Sequence, residues 1–479
     1  MSLRDARANW RGIAFHAAGI TVLLLLAFSF IDLLGDSFWY AAVGRWTLEH
    51  GHFPTRDPFA FSAVSVPWLV PMPASQVIFA WVTGRFGESA LLWMGSIVTT
   101  AALSLAWLGG ARRLASRVAV FPSLLVTLWI VRGSLAARGQ NFGDLAYVCL
   151  LLCITQARYV STKAIPLIGA TLGACWINLH SSALAGPVVV SAYGVVLFFD
   201  EGPTTTTRRL ALLVGALSIG LLITPFGPAL LGNVLQLSNA ATTKSVDLFR
   251  PPQFSSPEFL LAAAFALLVI AGGQLRNRVR EGRAESALVL FWLCASCFAM
   301  RHLEFLLLTT IFFGGRVLDR ELNDSRHVNL ARVGMTFAAV LGSVWLIATG
   351  ALRKDPRAQV PSDAADFVLA HGLRENVLNP YHWGGFLDYA WYGKPRTFID
   401  GRSQLFENGV FDDYSKIDRV DSEWPYLLDV YDIRTVLWEK GSALDFELSQ
   451  LPDWDRVFSG RLAVVYVRRA TAPKADHAL

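Results

Sequence analysis

The sequence predicts a multi-span α-helical membrane protein, with about 11 spans, carrying a soluble α/β domain at its C-terminal end. Three observations lead there. The 479 residues have a mean hydropathy of +0.42 and are only 16% charged, a composition suited to lipid rather than water. Apolar runs recur through the first 350 or so residues, on the scale needed to cross a hydrocarbon core of about 30 Å. From residue 352 the tail holds about 20 acids against about 16 bases, with no run near the roughly 18 apolar residues of a span. The division is therefore 1–350 for the transmembrane domain, with an acidic first loop at 35–87, and 351–479 for the soluble domain.

The expected spans lie near 13–34, 88–109, 118–131, 141–156, 164–177, 184–199, 210–225, 258–273, 285–300, 303–316 and 331–350. The basic start followed by a long apolar run, without a small-residue cleavage site, reads as a retained first span. Arginine and lysine clusters set the orientation. Arg4, Arg7 and Arg11 precede span one, and Arg112, Arg113 and Arg117 follow span two. Arg158 and Lys163 follow span four, and Arg208 and Arg209 follow span six. Arg276, Arg278, Arg280 and Arg283 follow span eight, and Arg316, Arg320, Arg326 and Arg332 precede the last span. With eleven spans all these fall on one face, the cytoplasmic one. The acidic loop and the C-terminal domain then lie outside. The five cysteines, Cys149, Cys153, Cys175, Cys294 and Cys297, all fall in expected spans, where buried small hydrophobes are the simplest account.

In the tail, 364–371 reads as a helix. The stretches VLNPYHWGGFLDYAWYG and RTFIDGR have strand-turn character, and IRTVLW and LAVVYVRR read as β-branched strands. The Gly384-Gly385 pair supplies flexible backbone beside an aromatic cluster.

Five polar sets fall on the outer face. The first is Asp36 with Arg45, His50, His52, Arg56 and Asp57. The others are Arg138-Gly139-Gln140-Asn141, then Trp176 to His180 with Asn178, then Pro225-Phe226-Gly227 with Lys244, Asp247 and Arg250, and finally Arg301-His302. A carboxylate such as Asp36 at a water–lipid boundary is costly to keep dry and usually serves a cavity. A solvated loop acid, or a cap for the helix expected over 37–50, is the plainer alternative. Arg138 and Arg301 are equally able to snorkel to headgroups, and His180 and His302 to bond backbone at helix ends. Taken together, carboxylates beside arginines and histidines suit a site that binds a phosphate and takes a proton from a hydroxyl. The spacing of His50 and His52 is a weak ligand signal, and no phosphate-cradling GxxxxGK[ST], GxSxG or HExxH is present.

The first loop, D-x-F-W-Y-x-x-x-G-R with RDPFAFS behind it, resembles that of the GT-C superfamily of membrane glycosyltransferases. So do W-I-N-L-H (176–180), T-P-F-G (224–227), R-H-L-E-F (301–305) and W-G-G-F-L…F-I-D-G-R (383–402). The chain departs from that pattern at Thr224 (asparagine expected), Gly139 (proline expected) and Tyr40 (histidine expected). The resemblance implies a polyprenyl-phosphate sugar donor used on the outer face of a bacterial cytoplasmic membrane. It implies Asp36 as general base, with Asp57 the second candidate or a partner orienting Arg56 or Arg138. Arg138, His180, Arg301 and His302 would meet the donor phosphate. Trp39, Tyr40, Asn178, Arg250, Trp383, Asp400 and Arg402 would bind substrate, although an internal Asp400–Arg402 pair explains those two equally well. Members of the superfamily differ on a divalent metal, so the resemblance makes no cofactor certain and leaves Mg or Mn an open option. The partners implied are membrane lipid, the lipid-linked sugar and a glycan, lipid or protein acceptor, with no nucleic acid. Two other functions fit the composition: a flippase or transporter of a lipid-linked sugar, and a non-catalytic scaffold of an envelope polysaccharide machine. A transporter usually carries internal repeats and polar residues near the bilayer midplane, and neither is evident here.

Overall fold

The computed structural model describes residues 3–239, 250–275, 281–322, 326–373 and 376–469. Lys244, Asp247, Arg276, Arg278, Arg280 and the last ten residues lie outside the described residues. The chain divides into two compact units. One comprises Met1–Asp32, Leu92–Leu235 and Lys244–Lys354; the other comprises Leu33–Leu91, Gln236–Thr243 and Asp355–Leu479.

The first unit is helical. It holds α1 (Leu3–Phe30), α4 (Ser89–Gly110), α5 (Leu114–Val131), α6 (Gly139–Gln156), α7 (Ile165–Leu179), α8 (Ala185–Glu201) and α9 (Thr205–Gly220). After these come α10 (Pro228–Asn239), α11 (Pro257–Leu275), α12 (Glu281–Phe298), α13 (Leu303–Glu321) and α14 (Arg326–Ala348). Each of the eleven segments expected to span coincides with one of these helices, because a helix is what satisfies every backbone polar group of an apolar run without water. Among the described residues, five helices are long and apolar enough to cross a membrane: Gly12–Phe30, Ser89–Gly110, Leu114–Val131, Ser181–Glu201 and His327–Ala348. Ile165–Leu179 and Pro257–Gly272 are shorter apolar helices.

α7 and α9 pack backbone against backbone. A Cβ on Gly173 would stand 2.6 Å from the Leu217 carbonyl, and one on Gly220 would stand 2.4 Å from that of Ala170, so only glycine allows this contact. Large apolar side chains face outward, such as Phe199, Leu268 and Phe298 at 82%, 71% and 77% exposure, as lipid-facing positions do. The cysteines differ from expectation. Cys175 and Cys294 are exposed and the other three are half-buried, because the outer surface of an apolar bundle is itself apolar.

The second unit is mixed. It contains α2 (Gly35–His50), α3 (Pro73–Phe86), α15 (Ser362–Ala370), β1 (Val377–Leu378), α16 (Tyr381–Trp391), α17 (Val410–Asp418) and α18 (Trp424–Val430). Its remaining elements are β2 (Thr435–Glu439), α19 (Ala443–Gln450), β3 (Trp454–Ser459) and β4 (Ala463–Arg468). The sheet runs β1-β2-β4-β3, with β1 parallel to β2 and the other pairs antiparallel. Its centre is apolar: Val436, Leu437, Val464 and Val465 are fully buried. The acidic loop, expected within the transmembrane domain, belongs to this unit. α2 packs on α3 and α16, and the Phe61 N–H donates to the Thr397 carbonyl at 2.9 Å.

Two local expectations are corrected. Residues 377–393 form a two-residue strand followed by helix α16, not a strand and turn. Buried Trp383, Phe386, Leu387 and Trp391 recur at helical spacing, and the two glycines and the β-forming aromatics masked that period. RTFIDGR makes no regular strand; Thr397 forms only isolated bridges to Ala60 and Val377. β3 was not anticipated.

Candidate active site

In the mixed unit, Asp36 lies in the first turn of α2 and is half-buried. It is not the N-cap, which is Leu34. The Trp39 indole Nε1 donates to Asp36 Oδ1 at 3.0 Å, one helical turn on. α16 lies against this end of α2: a Cβ on Gly385 would stand 2.2 Å from the Gly35 carbonyl. The turn after Ile399 reaches the carboxylate itself, since a Cβ on Gly401 would lie 2.8 Å from Asp36 Oδ1. Tyr381 Oη donates to the Gly401 carbonyl at 3.3 Å. Burial first, then the charges of Asp36 and Asp400, push this phenol upward, so Tyr381 remains a neutral donor beside the acid.

The neighbouring charges are committed to the fold. Arg402 is fully buried, with Nη1 2.6 Å from Asp57 Oδ1 and Nη2 2.6 Å from Asp400 Oδ2 and 3.3 Å from Asp388 Oδ2. Its Nε adds a bond to Asp400 Oδ1 at 2.8 Å. Asp57 also accepts the N–H groups of Phe59 and Ala60. Asp57 is a buried partner of Arg402, and Asp400 and Arg402 form the internal pair that the sequence reading held as an alternative. Trp39, Tyr40 and Trp383, each 4% exposed, are also core side chains. Tyr40 Oη contacts Met72 Sδ at 3.4 Å, and Trp383 Nε1 donates to the Gln359 carbonyl at 3.2 Å.

In the helical unit, Arg138 caps α6, and the Asn141 side chain holds its N–H at 2.9 Å. Its guanidinium donates to the Ser134 carbonyl at 3.2 Å and acts electrostatically on His180, Asp144 and Glu304. His180 ends α7. Its Nδ1 accepts from the Ser182 N–H at 3.2 Å, which leaves the proton of the neutral ring on Nε2. Gly143 makes room for this turn: a Cβ there would meet Ser182 Oγ at 2.7 Å and His180 Nδ1 at 3.0 Å. Arg301 is the other cation acting on His180, and it lines a cavity of about 330 Å³ with Arg132, Ser134, Glu258 and Glu304. His302 tilts against Trp292 at 5.8 Å, and its buried Nδ1 has no hydrogen-bond partner among the described residues.

Arg138, His180, Arg301 and His302 therefore fall into one neighbourhood of this unit. Arg250 joins it through its backbone, its carbonyl accepting the Met300 N–H at 3.0 Å. Asn178 instead ties the end of α7 to the segment after α9. Its amide donates to the Ala174 and Ile223 carbonyls, both at 2.8 Å. Among the described residues, no group of three or more His, Cys, Asp or Glu is placed to hold a metal ion.

No family model and no curated protein matches the chain. Solved structures do. The archaeal oligosaccharyltransferase AglB from Archaeoglobus fulgidus, in complex with an inhibitory peptide and a dolichol-phosphate, superposes with a TM-score of 0.53. That match has 10% identity over 88% of this chain and 69% of that one. ArnT from Cupriavidus metallidurans, bound to undecaprenyl phosphate, superposes with a TM-score of 0.60 and 12% identity over 95% of this chain and 97% of the other. The chain has the GT-C fold.

Within this GT-C fold, three buried carboxylates, two in the helical unit and one in the mixed unit, were not singled out in the sequence. Asp144 accepts from the Gln140 amide at 2.7 Å and Glu304 from Ser134 Oγ at 3.2 Å, and the two acids act on each other electrostatically; both sit in apolar helices, where a lone acid is itself the signal. Asp388, inside the unrecognised helix α16, gave none. Burial and then Asp400 hold Asp388 well above the ordinary carboxylate value, against the pull of Arg402. A raised folded-state value means stability that is full below the unfolded value near 4 and is lost as pH rises through the folded one. Asp388→Asn, which still accepts from Arg402 and bonds Thr397, should therefore remove this loss. Unfolding midpoints of wild type and variant measured across pH should converge in acid and diverge in favour of the variant at higher pH. Parallel curves would show that Asp388 carries no raised value.

Proposed function

We propose that the chain is a membrane glycosyltransferase that moves a sugar from a polyprenyl-phosphate donor to an acceptor hydroxyl on the outer face of the cytoplasmic membrane. The observation that carries this reading is the Asp36 carboxylate at the head of α2 in a GT-C fold, oriented by Trp39 Nε1 and backed by the Gly401 turn. Asp36 takes the acceptor's hydroxyl proton as that oxygen bonds to the anomeric carbon. The bond from that carbon to the phosphate oxygen breaks, and the lipid phosphate leaves with the electron pair. Arg138, His180, Arg301 and His302 stabilise its growing charge. The polyprenyl phosphates bound by the AglB and ArnT structures support this donor class.

The test of the donor class is binding of undecaprenyl phosphate to the full chain in nanodiscs. Arg138→Ala and Arg301→Ala should each weaken it roughly 10- to 100-fold, the worth of one hydrogen bond to a charged group. Unchanged affinity in both variants would remove these arginines from the donor site.

A further inference from the structure

In the mixed unit, one side chain holds the turn that covers Asp36 and has no role in the chemistry described above. Tyr381 is the first residue of α16, and it is fixed at three points. The Tyr414 hydroxyl accepts its backbone N–H at 3.0 Å, satisfying one of the orphan donors of a helix start. Its ring meets that of Phe411 edge to face at 5.7 Å. Its hydroxyl donates to the Gly401 carbonyl at 3.3 Å. Gly401 is where the turn reaches the acid: a Cβ there would stand 2.8 Å from Asp36 Oδ1 and 3.4 Å from Trp39 Nε1. On its other flank the turn is held by Asp400, which accepts the Arg402 N–H and Nε, both at 2.8 Å. Burial first, then the charges of Asp36 and Asp400, keep the proton on the phenol, so the hydroxyl stays a donor.

We propose that Tyr381 is a positioning residue for sugar transfer: its hydroxyl holds the Gly401 turn against Asp36, fixing the direction of the carboxylate and limiting the water that reaches it. The inference rests on the reading of Asp36 as the base. Tyr381 acts through Asp36 and touches no substrate. Trp39 Nε1 anchors one oxygen of the acid, and the turn closes over the same oxygen. If the turn lifts, water enters. Water favours the charged carboxylate over its protonated form and so weakens the base, and a loosened base also loses its alignment on the acceptor hydroxyl. Tyr381→Phe keeps the ring against Phe411 and the N–H on Tyr414, and removes only the bond to Gly401.

The test is kcat and KM of the full chain in nanodiscs, using the most rapidly transferred member of a radioactive panel of undecaprenyl-phosphate sugars. Rates are counted per bound undecaprenyl phosphate, so that unfolded protein does not enter. Tyr381→Phe should lower kcat roughly 3- to 10-fold, the worth of one neutral hydrogen bond, with KM for the donor unchanged. In an Asp36→Asn background, read over long incubations, Tyr381→Phe should cost nothing further, because the two residues act as one unit. Gly401→Ala, whose new Cβ would displace the turn from Asp36 Oδ1, should lower kcat at least as much and likewise add nothing to Asp36→Asn. That variant decides the matter if Tyr381→Phe does not fold. A wild-type kcat for Tyr381→Phe beside an impaired Asp36→Asn would overturn the positioning role and leave the base in place. The same fold-loss in both backgrounds would also overturn it, assigning the hydroxyl to the fold alone. Wild-type turnover by Asp36→Asn would remove the base itself, and this role with it.

Discussion

Asp36→Asn is expected to reduce sugar transfer by about 10²- to 10⁴-fold, the usual cost of losing a general base, while expression, folding and donor binding persist. The asparagine carbonyl keeps the acceptor for Trp39 Nε1, now 3.0 Å from the carboxylate, and its size suits the space left by Gly401. Only the basicity goes. Turnover and undecaprenyl phosphate binding measured on one preparation separate the two effects. A variant that turns over at the wild-type rate would remove Asp36 from the chemistry, and a variant that does not fold would show the carboxylate to be structural.

Arg402→Ala should be the most destabilising single change in the mixed unit. Three carboxylates, Asp57, Asp388 and Asp400, converge on this fully buried guanidinium, which also lies 4.9 Å from the Trp68 ring and 5.5 Å from that of Phe59. Removing one partner of a buried pair leaves uncompensated charge and costs about 3–5 kcal/mol. Arg402→Lys should recover little, because an ammonium cannot reproduce the planar fork that binds several carboxylates at once. Limited proteolysis and thermal unfolding would show the loss. An Arg402→Ala protein with a wild-type midpoint would contradict the buried cluster.

The helical unit was largely legible in the sequence because an apolar run has one stable backbone solution in lipid, and length alone locates it. The mixed unit was legible where β-branched runs such as 435–439 and 463–468 stand alone. It was obscure at Tyr381–Trp391, where aromatic residues and a glycine pair suggest a strand but the burial period is helical. The Asp400-Gly401-Arg402 turn was visible as a motif, its internal pair among the readings, and its distant partner was not. Asp57 is 345 residues from Arg402 in sequence, and no local pattern announces a partner at that distance. The same holds for Asp36, whose position was plain but whose neighbour Gly401 comes from the other end of the chain. Asp144 and Glu304 were readable as acids in apolar helices; their proximity depends on the packing of α6 and α13.

The most direct measurement is the fate of the label when the full chain in nanodiscs is given undecaprenyl-phosphate sugars, radioactive in the sugar, with hydroxyl-bearing acceptors. The account predicts that label leaves the lipid phosphate and appears on an acceptor, with free undecaprenyl phosphate formed in equal amount. Label that stays wholly on the lipid phosphate across the donor and acceptor panel, in a preparation that binds the donor, would contradict it.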